Sequence, residues 1–243
     1  MKLVFVAFIF CFVPMAAFAQ SDPATLLNAL NQADGQTAGR IIQLAGLLTV
    51  LSLAPGILVT MTSFTRLVIA LSFLRSGLGL PTTPSNLIVI SLALFLTAFI
   101  MGPTFEKAYS EGVQPLIENK IDETQAIPLI AEPFRQFMIA NVRPVDVKLF
   151  EDLSKAPVAN GEVLPFRILV PAFLVSELRR GFEIGFLILL PFLVIDIVVA
   201  TLTMSMGMMM LPPTVLSLPF KVLFFVLIDG WSLMVGSLVR SFS

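Results

Sequence analysis

The chain contains no histidine, and its single cysteine, Cys11, lies close to the N-terminus. The chain therefore has no imidazole base. Cys11 is its one possible thiolate nucleophile, and the histidine and cysteine ligands that usually bind zinc are otherwise missing. A lone cysteine also excludes a disulfide within the chain. The carboxylates do not cluster at metal-ligand spacing, so the sequence favours a protein without a cofactor or an enzymatic activity.

Charged residues are also scarce, at 13% of the 243 residues, whereas soluble domains carry about a quarter. Hydrophobic residues make up 57% of the chain, and the mean hydropathy is +0.95. This composition places the chain in or against a membrane, or inside an assembly. The net charge of −1 gives no electrostatic reason to expect binding to nucleic acid or to anionic lipid.

The N-terminus is typical of a secretory signal peptide. Lys2 precedes the apolar run "LVFVAFIFCFV", and the small residues Ala17 and Ala19 follow at the spacing of a cleavage site. We predict cleavage after Ala19, so that residues 1–19 are removed together with Cys11. The alternative is an uncleaved first transmembrane helix.

The rest of the chain divides by composition. Apolar stretches flank a region, 103–167, that holds ten acidic and seven basic residues, and the stretch just before it, 87–101, is short for a full membrane span. Apolar residues recur there at helical spacing, which favours a folded helical subdomain over a disordered loop. The predicted segments are a polar arm (20–39), apolar helical segments (40–102), this charged, mostly helical subdomain (103–167), and a C-terminal apolar helical hairpin (168–243).

Within these segments we expect two helical pieces to meet at Pro55-Gly56 and full-length spans near 184–203 and 214–239. With a cleaved signal and four crossings, the charged subdomain is extracytoplasmic. The positive-inside signal is weak, which suggests that the apolar segments are not ordinary lipid-facing spans.

Five methionines occur within seven residues in "MSMGMMM", at Met204, Met206, Met208, Met209 and Met210. At about 100° per residue they would not share one face of a helix. Gly207 and the Pro212-Pro213 pair predict an irregular hairpin tip instead. Methionine adapts to irregular gaps, so the tip is either a deformable apolar seal in a pore or a gap-filling contact between helices.

Two charged residues lie inside the apolar arms on either side of this run. Asp196 is in "PFLVIDIVVA" and Lys221 is in "LPFKVLFFVL", and the two are equally far along the chain from the centre of the tip, 204–213. If the chain folds back there, both lie roughly 18 Å from the tip. Because buried charges usually pair, we predict an Asp196–Lys221 ion pair that fixes the hairpin register, with a proton relay as the alternative.

Arg66 and Asp229 are also isolated in apolar surroundings, so we predict that both are buried. The sequence leaves their partners open, including pairing between subunits. The cluster "ELRRGFE" at 177–183 has the spacing of charge pairs on a helix and predicts an exposed or interfacial helix start.

Two segments, "PAFLVSELRRGFEIGF" and "PFKVLFFVLIDGW", closely resemble the signature segments of the FliP family of type III export-gate proteins. "APGILVTMTSFTRLVIALSFLRSGLGLPTTPSN" and "LPFLVIDIVVATLTMSMGMMMLPP" are also similar to it. The resemblance extends from about Arg40 to Arg240. The family includes virulence-associated homologues of the injectisome, and the cleavable signal resembles the flagellar branch.

The resemblance implies a helical, multi-pass inner-membrane protein of the flagellar basal body. Five copies would form a ring-like, helically staggered assembly with FliR and FliQ and would work with FlhB and FlhA. Unfolded rod, hook and filament subunits would pass through it without catalysis. The methionine loop of the family forms a gasket in the channel, which here corresponds to Met208, Met209 and Met210 with Met204 and Met206 alongside.

Two other classes of function fit parts of the sequence. An intramembrane aspartyl protease would use Asp196 and Asp229, but that chemistry needs two carboxylates in one site, and Asp196 is better explained by Lys221. A small-solute transporter would show internal repeats with paired broken helices, and we find no convincing repeat.

Overall fold

A computed structural model describes residues 52, 56–80, 82–154, 164–207 and 212–242. Every regular element in those ranges is helical, which confirms the predicted all-α fold. The predicted cleavage site at Ala19 and the polar arm 20–39 lie outside them. The α-helices of the first half are α1 Phe64–Gly77, α2 Asn86–Ile100, α3 Gly102–Ala108, α4 Gln114–Ile117, α5 Glu123–Asn141 and α6 Pro144–Ser154. Those of the second half are α7 Phe166–Ser205, α8 Pro213–Leu227 and α9 Gly230–Arg240.

The helical stretch at 56–61 is separated from α1 by a turn at Thr62-Ser63. Hydroxyl groups stabilise this break, because Thr62 Oγ1 accepts the Phe64 amide at 3.3 Å and Thr65 Oγ1 donates to the Val59 carbonyl at 2.7 Å. The predicted break at Pro55-Gly56 lies at the edge of the described residues. No pattern in the sequence predicts the break at Thr62-Ser63, because threonine and serine are compatible with a helix.

The longest element is α7, with 40 residues. At 1.5 Å per residue it is about 60 Å long, twice the thickness of a bilayer hydrocarbon core. It contains Pro171 and Pro191 and nevertheless continues without interruption. The predicted span at 184–203 is therefore the second half of a longer helix.

Helix α1 packs along α7 at very short range. A side chain added at Gly181 would come within 3.1 Å of Ile69, and one at Gly185 within 2.5 Å of Phe73. The two glycines are four residues apart on one face of α7, a spacing that lets helix backbones approach closely. At the other end of the contact, Gly77 of α1 leaves space for the Phe192 ring of α7. A side chain added at Gly77 would come within 2.7 Å of that ring.

Helices α3 to α6 fill most of the charged region. The chain bends by 59° between α2 and α3, and a π-helical turn at Tyr109–Val113 joins α3 to α4. A small core of Met138, Leu169 and Phe173 packs α5 against the start of α7.

The final apolar stretch is not one straight span. Helices α8 and α9 meet at an angle of 65°, because Asp229 adopts a left-handed conformation with φ 51°. The stretch predicted as a span at 214–239 is therefore a bent pair of helices. The buried core of the main body joins residues of α1, α2, α7, α8 and α9, among them Leu67, Ala93, Phe192, Phe225 and Leu238.

Among the described residues, α7 alone is long and apolar enough to cross a membrane as a single helix. The number of such elements rises to three if α2 with Gly102–Ile117, and α8 with α9, each count as one bent span.

Candidate functional site: the hairpin tip and its ion pair

Helices α7 and α8 form a hairpin whose tip carries the methionine run. The last turn of α7 closes at Gly207, whose positive φ of 74° turns the chain out of the helix. The return arm begins at Pro213, a residue favoured in the first turn of a helix. Met208, Met209 and Met210 lie outside the described residues.

The two described methionines of the tip are strongly exposed within the chain. Met204 is 64% exposed and Met206 is 73% exposed. Apolar side chains at this level of exposure gain little from burial in their own chain, so the tip leaves apolar surface available for contact with other molecules.

Asp196 and Lys221 form an ion pair across the two arms. Lys221 Nζ donates to Asp196 Oδ2 at 2.6 Å, and the side chains are 6% and 28% exposed, respectively. Ser217, which is fully buried, donates from Oγ to Asp196 Oδ1 at 2.6 Å. Both carboxylate oxygens of Asp196 are therefore bound by residues of α8, which fixes the two arms at one register.

The turn between α1 and α2 covers the same ion pair. Gly79 has a positive φ of 74°, and a side chain added there would lie 3.9 Å from Lys221 Nζ. Farther from the tip than the ion pair, apolar contacts join the two arms, since Phe192 of α7 lies against Phe224 and Phe225 of α8. Three elements of the fold therefore surround the pair, and Asp196 remains 28% exposed.

A second ion pair, Arg66–Glu177, holds α1 to α7. Both side chains are fully buried, and the guanidinium binds both carboxylate oxygens, with 2.9 Å between Arg66 Nε and Glu177 Oε2. Arg66 Nη1 also donates to the Ser241 carbonyl at 2.8 Å, and its guanidinium lies 3.6 Å from the centre of the Phe242 ring. One arginine therefore joins α1, α7 and the segment after α9.

This geometry identifies one partner that the sequence left open and corrects one expectation. Arg66 is buried, and its partner is Glu177 of the same chain. Glu177 is not part of an exposed helix start, because it lies well inside α7 and is fully buried. Arg179 and Glu183 of the same cluster are exposed and pair with each other at 2.9 Å.

Asp229 is exposed within the chain and lies at the bend between α8 and α9, so its burial against another subunit stays a prediction. It is eight residues beyond Lys221 along the chain, which is roughly 12 Å of helix. Asp229 therefore lies well away from Asp196, whose carboxylate is bound to Lys221 and Ser217. The two aspartates do not form the shared site that an aspartyl protease needs.

Sequence reasoning missed Ser217 and Glu177 as partners. Ser217 carried a usable signal, since it lies one helical turn before Lys221 and shares its face of α8. Glu177 carried none, because nothing in the sequence distinguishes it from other acidic residues as the partner of an arginine 111 residues away.

The fold and the site define an all-helical, membrane-associated protein in which buried ion pairs set helix register and an apolar tip faces outward. Within the described residues, no group of histidine, cysteine or acidic side chains has metal-binding geometry. The sequence profile of the FliP family matches residues 47–238. The chain therefore belongs to the FliP family, as its signature segments predicted.

Several relatives are similar to this chain over most of its length. The Agrobacterium fabrum flagellar biosynthetic protein FliP is 62% identical over 95% of both chains. The Rhizobium meliloti protein of the same name is 59% identical over 98% of both. The Bacillus subtilis protein of that name is 48% identical over 89% of this chain and 98% of its own. The family is a structural component of the flagellar type III export apparatus and not an enzyme.

Proposed function

We propose that this chain is the core pore-forming subunit of the flagellar type III export gate. Five copies would assemble with FliR and FliQ in the bacterial inner membrane and work with FlhB and FlhA. Unfolded rod, hook and filament subunits would cross through the resulting channel. The observation that carries the proposal is the exposed methionine tip, with the Asp196–Lys221 pair fixing the arms behind it.

The seal would consist of Met204, Met206, Met208, Met209 and Met210 from each copy. A ring of unbranched thioethers excludes water when the tips meet, and it deforms around many side-chain shapes when a chain passes. The ion pair behind the tip prevents the two arms from sliding, so that each copy presents the methionines at the same height.

The outer surfaces of the hairpin support assembly with neighbouring chains. Val215, Phe220, Val226 and Leu227 of α8 are each more than half exposed. Apolar surface of this extent on adjoining turns is a feature of protein or membrane contacts. We propose that neighbouring copies and partner subunits cover it, with α3–α6 on the extracytoplasmic side.

The alternative is the homologous subunit of a virulence type III system. The relatives described above carry a flagellar name, which favours the flagellar role.

The seal is tested by replacing Met208, Met209 and Met210 together with alanine. We expect the complex to assemble, as checked by co-purification with its partners, and the closed gate to leak ions and small solutes. Phenylalanine at the same three positions should keep the gate closed but slow substrate export. Unchanged permeability in cells that contain the assembled alanine variant would refute the seal.

A further inference from the structure

The buried faces of α8 and α9 follow one spacing. The buried residues of each helix are four positions apart: Ser217, Lys221 and Phe225 in α8, and Gly230, Met234 and Leu238 in α9. Positions four apart lie on one face of a helix. That face of α9 continues to Phe242, because the turn after the helix keeps its direction, with the Ser241 amide donating to the Ser237 carbonyl at 3.0 Å.

The Phe242 side chain contacts a buried cation and a second aromatic ring. The Arg66 guanidinium of α1 lies 3.6 Å from the centre of the Phe242 ring, and Phe137 of α5 is stacked on it with 6.0 Å between the ring centres. Arg66 Nη1 also donates to the carbonyl and the hydroxyl of Ser241, at 2.8 and 3.0 Å. Because Arg66 is fully buried and bound to Glu177, these contacts join the end of α9 to α1, α5 and α7.

The other end of α9 is held at the bend with α8. The Phe225 ring lies against Gly230 so closely that a side chain there would have no room, and the same ring is in edge contact with Trp231 at 5.4 Å. Helix α9 has 11 residues, which is roughly 16 Å. A helix this short moves as a unit, so its two ends set its orientation relative to the arm that carries Lys221.

We propose that Ser241 and Phe242 form a latch, which holds α9 against α1 and α5 and thereby keeps α8 at the register where Lys221 meets Asp196. Without the latch, the far end of α9 keeps only its apolar contacts, so α9 opens more often about the bend and the return arm of the hairpin loosens with it. The consequence for the tip rests on its proposed function as a seal.

The structural part is tested by amide hydrogen exchange on the purified complex with its partners. Phe242→Leu keeps an apolar side chain but removes the ring that the guanidinium and Phe137 contact. We expect the amides of α9 to exchange at least about fivefold faster in this variant. The purified chain in detergent gives the same comparison if the variant does not assemble.

The matched control is Phe134→Leu. Phe134 is half-buried, as Phe242 is, and it also belongs to the aromatic residues around α5, but its ring partner is Phe105 of α3 at 5.7 Å. This variant should leave the exchange of α9 unchanged. Unchanged exchange of α9 in the Phe242→Leu variant, or an equal rise in the control, would overturn the latch.

The part played by Arg66 is tested by combining two changes. Lysine at position 66 keeps the charge but loses the planar stacking and the fork of donors. If Phe242 acts through the guanidinium, Phe242→Leu should accelerate the exchange of α9 much less in an Arg66→Lys background than in the unmodified chain. An equal acceleration in both backgrounds would overturn the assignment to Arg66.

The functional part uses the permeability of the closed gate. Phe242→Leu should raise it, but by less than the alanine variant of Met208 to Met210, because the methionines are still present. If α9 exchanges faster and only the alanine variant leaks, the effect of the latch on the tip is refuted. If the alanine variant does not leak, the seal itself is refuted, and the exchange of α9 still decides whether the latch holds that helix.

Discussion

At the scale of single residues, the Asp196–Lys221 pair is the feature that fixes the hairpin. Lys221 is less exposed than Asp196, and Ser217 binds only the aspartate. Removal of the carboxylate therefore leaves a buried ammonium without its partner, whereas removal of the ammonium leaves a carboxylate that keeps Ser217 and some contact with solvent. The two single replacements should not be equivalent.

We expect Asp196→Asn to lower the free energy of unfolding by on the order of 3 kcal/mol, and Lys221→Met to lower it by less. The double variant D196N/K221M should be more stable than D196N alone, because no uncompensated charge remains. Unfolding of the purified chain in mixed detergents measures these values. Additive effects of the two single changes would show that the residues are not coupled.

The same double variant separates the two roles of the pair. It cannot carry a proton between a carboxylate and an ammonium, but it retains side chains of similar size at both positions. If the pair only fixes register, protein export should survive in D196N/K221M better than in D196N. Export that fails in the double variant while the complex still assembles would favour the proton relay.

The buried Arg66 side chain contacts two other parts of the fold. Its planar guanidinium binds Glu177 through two nitrogens, donates to the Ser241 carbonyl and stacks on Phe242. Lysine keeps the charge but loses the fork geometry and the stacking. We expect Arg66→Lys to lower the free energy of unfolding by on the order of 2 kcal/mol.

The control for this change is Arg179→Lys. Arg179 pairs with Glu183 at the surface, where the two side chains are 60% and 58% exposed. An exposed pair contributes less than about 1 kcal/mol, so the control should be nearly neutral. Equal losses in both variants would mean that the buried network contributes little beyond its charge.

At the scale of elements, the close contact between α1 and α7 depends on glycine. A methyl group at Gly185 would come within 2.5 Å of Phe73 Cδ2 and 2.9 Å of its Cβ, so the helices must separate or the ring must move. We expect Gly185→Ala to lower the free energy of unfolding by about 1–3 kcal/mol. Gly102→Ala, where nothing lies within 4 Å of an added side chain, should have no such effect. Thermal unfolding of the two variants in detergent provides the comparison.

Sequence patterns predicted those elements whose signals are local. The run of apolar residues indicated α7, and Gly207 with Pro213 indicated the turn. The spacing of Asp196 and Lys221 on either side of that turn predicted the ion pair, because a hairpin brings together residues that are equally far from its tip. The bend at Asp229 was not predicted, since the left-handed conformation of one aspartate has no counterpart in hydropathy.

Ion pairs between residues far apart in the chain could not be predicted, because they depend on how whole helices pack. Glu177 lies beside Arg179, Arg180 and Glu183, and helical spacing alone groups it with them. Its actual partner, Arg66, is 111 residues away and is brought there by the glycine contacts of α1 with α7. Such a pair becomes visible only when the packing of whole helices is known.

At the scale of the whole molecule, the length of α7 restricts how the chain meets a membrane. The helix is about 60 Å long, and a hydrocarbon core is about 30 Å thick, so no more than about half of an upright α7 fits within it. The first half carries the exposed Arg179–Glu183 pair, whereas the apolar second half has Ile197 exposed within the chain. The second half is therefore the part suited to hydrocarbon or to an apolar protein environment.

This division predicts the pattern of labelling by a membrane-impermeant maleimide. Cys11→Ser provides a chain without cysteine, into which Glu183→Cys and Ile197→Cys are introduced separately. The two side chains have similar exposure in the isolated chain, at 58% and 62%, so a difference in labelling reports what surrounds the chain in the cell. We expect the Glu183→Cys variant to react and the Ile197→Cys variant to remain unlabelled in intact membranes, and both variants to react after denaturation. Equal labelling of the two variants before denaturation would show that the second half of α7 is covered neither by lipid nor by neighbouring subunits.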